Sequence, residues 1–292
     1  MRSFAIAPAS LNQFELRTDD LVDLSKTLCA LPLEGRLDLP GIDERRVDIL
    51  PAGAVALATA LGVFGARSAL HSEWGLREGV VLLERGDPPM PTPAELRRAS
   101  IERLAATWQG EASHPAAVRR IAEQLFDGTA DLHGLEPDKR ALLGFAALVH
   151  DVGAQISPNK HHRHSAYLVE HAGLRGFDPW EVAMMASIVR FHRGSGPKMS
   201  FPPYAALSAS DRAACQVLIG VLRIAHGLGH GSEEDVRGVQ VMTARRDLLI
   251  RVRGDRPEGA IVDAEEHANV LGRALGCTVR FEIAPGVPAG LG

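Results

Sequence analysis

The feature that most constrains this chain is a proline run, Gly86-Asp87-Pro88-Pro89-Met90-Pro91-Thr92-Pro93. Four prolines in six residues can neither continue a helix nor sit in a central strand, because each lacks an amide donor and fixes φ. The segment reads as a stiff linker, and the 292 residues divide around it. That length suits one large domain or two medium ones. A 46% hydrophobic content is enough for an ordinary core.

Before the linker, residues 18–34 read as a helix with Thr18 as N-cap and Leu21, Leu24 and Leu28 on one face. Residues 47–50 read as a strand, 54–64 as a helix, 68–72 as a strand and 76–85 as a closing helix. After the linker the pattern is helical. Residues 93–108 place Ile101, Leu104, Ala105 and Trp108, and residues 115–126 place Val118, Ile121, Ala122 and Leu125, at i, i+3, i+4 and i+7. Helices are expected again over 138–150, 164–171, 179–191 and 210–227, punctuated by Gly153, Pro158, Gly173, Gly176 and Gly194-Ser195-Gly196-Pro197. The tail changes to β-branched runs at 236–242 and 248–252, a helix over 264–275 and a strand over 277–283. The expected fold is α+β, mainly α. It is arranged as 1–86, a linker at 87–93, a helical domain at 94–230 and a small β-β-α-β unit at 235–285.

Composition excludes several classes. A net charge of −4 does not fit a broadly basic nucleic-acid binder, so DNA is not an expected partner. Cys29, Cys215 and Cys277 are odd in number and lack a CxxC, which excludes a disulfide scaffold and points to a reducing cytoplasm. The apolar run at the N-terminus is too short for a signal peptide. The longest uncharged stretch, 49–66, is broken by Pro51, Gly53, Gly62 and Gly65, so a buried helix is expected there and no membrane span.

Histidine is the anomaly. There are 12, and ten fall between His114 and His230. His150-Asp151 ends a strongly apolar helix, His114 opens an upstream one, and His164, His192 and His226 lie at or near the ends of later ones. Side chains at the ends of separate helices can converge in a bundle. Imidazole together with carboxylate suits a divalent ion such as Mn, Fe, Co, Ni or Zn, and such an ion acidifies bound water for attack on phosphorus. Lys160, Arg163, Arg190 and Arg193 flank these positions and are candidate phosphate contacts.

This pattern resembles the HD superfamily of metal-dependent phosphohydrolases. The resemblance implies His114, His150, Asp151 and His226 as metal ligands, with His164 and His192 where two-metal members place further histidines. His226 stands where the family has its last Asp, which removes one negative charge. His150 and Asp151 would be the catalytic pair, and the divalent ion (Mg included) the cofactor.

The runs Val149-His150-Asp151-Val152-Gly153, His161-His162-Arg163-His164-Ser165-Ala166-Tyr167-Leu168, Gly176-Phe177 and Ile188-Val189-Arg190-Phe191-His192-Arg193 narrow the likeness. They are similar to the C-terminal HD-like domain of the exopolyphosphatase/guanosine pentaphosphate phosphohydrolase (Ppx/GppA) family. Arg46-Val47-Asp48-Ile49-Leu50-Pro51-Ala52-Gly53-Ala54 and Gly75-Leu76-Arg77-Glu78-Gly79 resemble the end of that family's second actin-like lobe. The family's glycine-rich phosphate loops find no counterpart before residue 40, so residues 1–86 read as a partial lobe whose sheet has an open edge.

The resemblance implies a phosphate-rich substrate: polyphosphate, pppGpp or a nucleotide. Three roles follow: a metal-dependent phosphohydrolase, a non-catalytic polyphosphate- or alarmone-binding regulatory module, or the C-terminal part of a split exopolyphosphatase. A homodimer or a separately encoded actin-like partner would cover the open edge.

Overall fold

The computed structural model describes residues 14–72, 75–84, 91–108, 113–231, 234–244 and 247–284. The chain forms two compact units, Met1–Pro89 and Met90–Gly292. Most of the expected linker, residues 87–90, lies outside the described residues.

The first unit runs β1 (Glu15–Arg17), α1 (Thr18–Ala30), α2 (Leu33–Leu37), α3 (Leu50–Val63), β2 (Ser68–Leu70) and α4 (Leu76–Glu84). Strands β1 and β2 pair antiparallel, Glu15 opposite Leu70 and Arg17 opposite Ser68. Thr18 is the first residue of α1 and not its cap; its hydroxyl donates to the Ala66 carbonyl at 2.6 Å and so ties the helix start to the turn before β2. A small core joins α1 to α3 through Leu21, Leu28, Ala54 and Ala58. The strand expected at residues 47–50 is instead a turn running into α3, with the Ile49 and Leu50 amides both bonded to the Arg46 carbonyl. Pro51 explains the difference. It sits in the first turn of α3, where a missing amide costs no helical bond and the fixed φ favours the helix.

The second unit is built mainly from helices: α5 (Pro93–Trp108), α6 (Ser113–Gly128), α7 (Ala130–His133), α8 (Pro137–Val149), α9 (His161–His171), α10 (Pro179–Phe191), α11 (Pro202–Ala206) and α12 (Ala209–Leu228). A 3-10 turn, Val152–Gln155, links α8 to α9. Local chemistry sets the ends. Asp178 caps α10 in a capping box, its own amide donating to Glu181 at 2.8 Å. Ser208 accepts the Asp211 amide at the start of α12.

Helix α12 is the axis of this unit, buried almost without a break from Ala214 to Leu228. One flank lies against α13 (Glu258–Leu275). A methyl group at Gly220 would sit 2.7 Å from the Leu271 Cα, and one at Gly227 would sit 2.8 Å from the Ala264 nitrogen. The two backbones therefore touch, which only glycine permits there.

Helix α13 connects β4 (Asp247–Arg253) to β5 (Thr278–Ile283), which lie parallel, while β3 (Gly238–Ala244) and β4 form an antiparallel hairpin. Leu248, Ile250 and Val252 alternate into the same core as α12. The β-β-α-β unit read from the sequence is present, and it shares its core with the helices. The structure is α+β and mainly α.

Candidate metal centre

Six side chains meet where five helices end. His114 lies in the first turn of α6. His150 follows the last residue of α8, and Asp151 precedes the 3-10 turn. His161 is the first residue of α9, His192 follows α10, and His226 lies in the last turn of α12. Two groups result, each with one ligand atom per residue within 4.8 Å of the others: His114, His150, Asp151 and His226, and then Asp151, His161 and His192. Asp151 belongs to both.

The tautomers follow from the backbone. The Nδ1 of His114 lies 2.9 Å from the Gly229 carbonyl, that of His150 2.7 Å from Ala147, that of His161 3.2 Å from Pro158, and that of His192 2.7 Å from Val189. A carbonyl only accepts, so each Nδ1 carries the proton and each Nε2 is left to face the carboxylate. Asp151 Oδ2 lies 3.1 Å from His150 Nε2 and 3.5 Å from His114 Nε2. Its Oδ1 lies 3.0 Å from His161 Nε2 and 3.6 Å from His192 Nε2. His226 places Nδ1 3.1 Å from His150 Nε2. Among the described residues, Asp151 Oδ1 and His226 Nε2 are buried without a hydrogen-bond partner.

Such a site needs positive charge. Burial alone would raise the Asp151 pKa, but the charge of His150 and contacts with His114, His150 and His161 outweigh it and hold the carboxyl far below its ordinary range. Asp151 in turn raises His114 and His161 above the usual imidazole value, against burial. Burial drives His192 and His226 well below it, so both are neutral at pH 7. Neutral, pre-oriented imidazoles around a shared carboxylate fit a divalent transition ion in each group, with protons on His114 and His161 as the metal-free substitute.

His164 joins neither group. It is half-buried one helical turn along, with its Cβ packed over Gly153. His161 stands where the sequence pointed to His164, because α9 begins three residues earlier than its periodicity indicated. With three histidines in His161-His162-Arg163-His164, only the helix start decides which one faces inward. Lys160, in the left-handed region at φ 58°, marks that start. His230 belongs to neither group but packs beside the first. Its ring stacks on His114 at 5.8 Å and meets His226 at 4.5 Å, and its Nδ1 lies 3.2 Å from Asp263.

Lys160, Arg163 and Arg193 are exposed and Arg190 is half-buried. Among the described residues none of them forms an ion pair. Burial, then Arg190, His161, Arg163 and Arg193, bring the His162 pKa down to about 4. The His162 ring meets those of His161 and His192 at 5.9 and 6.2 Å, beside the second group.

A family model described as Ppx/GppA phosphatase, domain III, matches residues 96–252, and one described as Ppx/GppA phosphatase family matches residues 1–85. The chain belongs to the Ppx/GppA phosphatase family. The residues of both groups fall within the domain III match. A guanosine-5'-triphosphate,3'-diphosphate pyrophosphatase of Photobacterium profundum is 27% identical over 194 residues, covering 66% of this chain and 37% of the relative. The Ppx/GppA chain thus spans little more than a third of the length of that curated relative. No described helix is long and apolar enough to cross a membrane.

Proposed function

We propose that the second unit is an HD-type metal-dependent phosphohydrolase acting on phosphoanhydride or phosphoester bonds of a phosphate-rich substrate. Polyphosphate, pppGpp and nucleotides are the classes to test, in a cytoplasmic setting. The observation that carries this reading is the Asp151 carboxylate, faced on both oxygens by Nε2 atoms whose Nδ1 protons are committed to backbone carbonyls. His114, His150, Asp151 and His226 would hold one divalent ion, and Asp151, His161 and His192 a second. Bound there, such ions supply Lewis acidity toward a phosphoryl oxygen and acidify water. Asp151 would fix the orientation of the site, and Lys160, Arg163, Arg190 and Arg193 would bind the phosphates that do not react.

The test is elemental analysis of the purified protein with hydrolysis assays on polyphosphate, pppGpp and common nucleotides. About two ions per chain and metal-dependent turnover lost in His150→Ala are expected. Undetectable metal, or activity unchanged in that variant, overturns the reading.

A second reading is that the chain works with another polypeptide, a second copy or an actin-like partner, either as its regulatory module or as one part of a split enzyme. One observation favours it. Helix α3 exposes Val55, Leu57 and Val63, followed by Phe64 at 83% exposure, an apolar face that another polypeptide would cover. Calorimetry showing tight binding of polyphosphate without turnover would support this reading over the first.

A further inference from the structure

Arg223 is buried at 5% exposure and faces no carboxylate among the described residues. Buried guanidinium groups are usually paired with an acid. This one instead donates from Nε to the Phe191 carbonyl at 2.8 Å, and from its terminal nitrogen to the Gly194 and Ser195 carbonyls at 2.9 and 3.2 Å. Phe191 is the last residue of α10, and its carbonyl belongs to the peptide that leads into His192. The Gly194 and Ser195 carbonyls fix the loop that follows, where Gly194 turns at φ 72°. Arg223 thus caps the open carbonyl end of α10 and grips the backbone on both sides of His192, whose ring is held by Val189.

We infer that Arg223 is a positioning residue for the second metal group, holding His192 on Asp151 through the Phe191 and Gly194-Ser195 carbonyls. Arg223 precedes His226 by three residues on α12, so one helix carries a ligand of the first group and the clamp of the second. The inference rests on the two-ion reading above. It assigns a selective effect: loss of Arg223 releases the second ion and leaves the first.

The experiment titrates the full-length, metal-stripped protein with Co²⁺ and follows stoichiometry and the visible d–d spectrum. The wild type is expected to take two ions. Arg223→Met is expected to take one ion with the first-site spectrum unchanged, its second affinity weakened roughly ten- to a hundredfold. Arg223→Lys, which keeps a donor, is expected to recover part of that loss. Should Arg223→Met fail to fold, Gly194→Ala tests the same grip from the exposed loop. A side chain at that positive φ strains the loop without entering the core, and the second affinity is expected to fall there too. A wild type that takes no ion overturns the metal reading itself. A wild type with two ions, and Arg223→Lys and Gly194→Ala variants that bind both with unchanged affinity, overturns the role of Arg223 alone. Loss of both ions together in folded Gly194→Ala overturns it as well.

Discussion

Gly153 sits two residues after Asp151, where the 3-10 turn lies against the first turn of α9. A methyl group added there would lie 2.3 Å from the Ser165 nitrogen, 2.5 Å from the His161 carbonyl oxygen and 2.7 Å from the His164 Cβ. Two of these are backbone atoms of α9, so no rotamer change relieves the clash. Ordinary contact distances of about 3.5 Å require that turn to retreat by roughly 1 Å. Overpacking of this kind costs about 1–3 kcal/mol. The retreat also stretches the bond from the Gly153 amide to Ser165 Oγ, 2.9 Å long, for about another 1 kcal/mol.

Gly153→Ala is therefore expected to destabilise the second unit by about 2–4 kcal/mol. At a urea slope of roughly 2 kcal/mol/M this moves the midpoint down by about 1–2 M. The assay is urea unfolding in chelator, followed by tryptophan fluorescence in a Trp74→Phe background, so that the signal comes from Trp108 and Trp180 in the second unit. His161 rides on the displaced turn, so the same variant is expected to lose the second ion. A midpoint shift below about 0.3 M together with full metal loading would refute the reasoning, because α9 would then be free to move without consequence.

Arg97→Met removes the partner of Glu181, whose carboxylate accepts from Arg97 at 3.0 Å in a nearly closed site, and also the Arg97 bond to the Gly176 carbonyl. A loss of about 2–4 kcal/mol is expected at pH 7. Burial already raises the Glu181 pKa, and the lone carboxyl rises further. The loss therefore shrinks as acid protonates the group, and a deficit that grows on acidification would be contrary. Metal loading near neutral pH is expected to expel protons from His114 and His161, whose pKa values Asp151 raises, so affinity weakens as pH falls. Calorimetry of Zn²⁺ binding in two buffers of different ionisation heat measures those protons; identical heats would contradict the assignment. Asp151→Asn is expected to abolish binding in both groups, read as loss of both Co²⁺ signals, whereas loss of only one would mean that Asp151 is not shared.

The helices of the second unit were legible because their apolar stripes are long: residues 179–191 were read with the ends that α10 has. The β-β-α-β tail was legible from its switch to β-branched runs. Short elements were not. The strand expected at residues 47–50 failed because Val47 and Ile49 carry strand propensity while Pro51, two positions on, commits the backbone to a helix. At the site, His114, His150, Asp151, His192 and His226 announce themselves as polar residues at or beside the ends of apolar helices. His161 does not, since its role depends on where α9 begins, and that is set by the left-handed Lys160 and by the fit of Gly153 under the turn. Arg223 carries no sequence signal at all. A lone arginine on an apolar helix is legible only once the carbonyls of α10 are seen to end beside it.

The contact of α12 with α13 through Gly220 and Gly227 has a kinetic side. A helix enclosed on every flank exchanges its amide protons only when the whole unit opens, whereas helix ends fray on their own. The six side chains of the candidate site are therefore expected to differ in lifetime. His161 and His192 sit at the ends of α9 and α10, which are expected to open before the buried run of α12 that carries His226. During unfolding the chain would release its grip from the α9 and α10 side first, with α12 still standing. Protease cuts should accordingly appear around residues 155–160 and 193–200 well before any within residues 214–228.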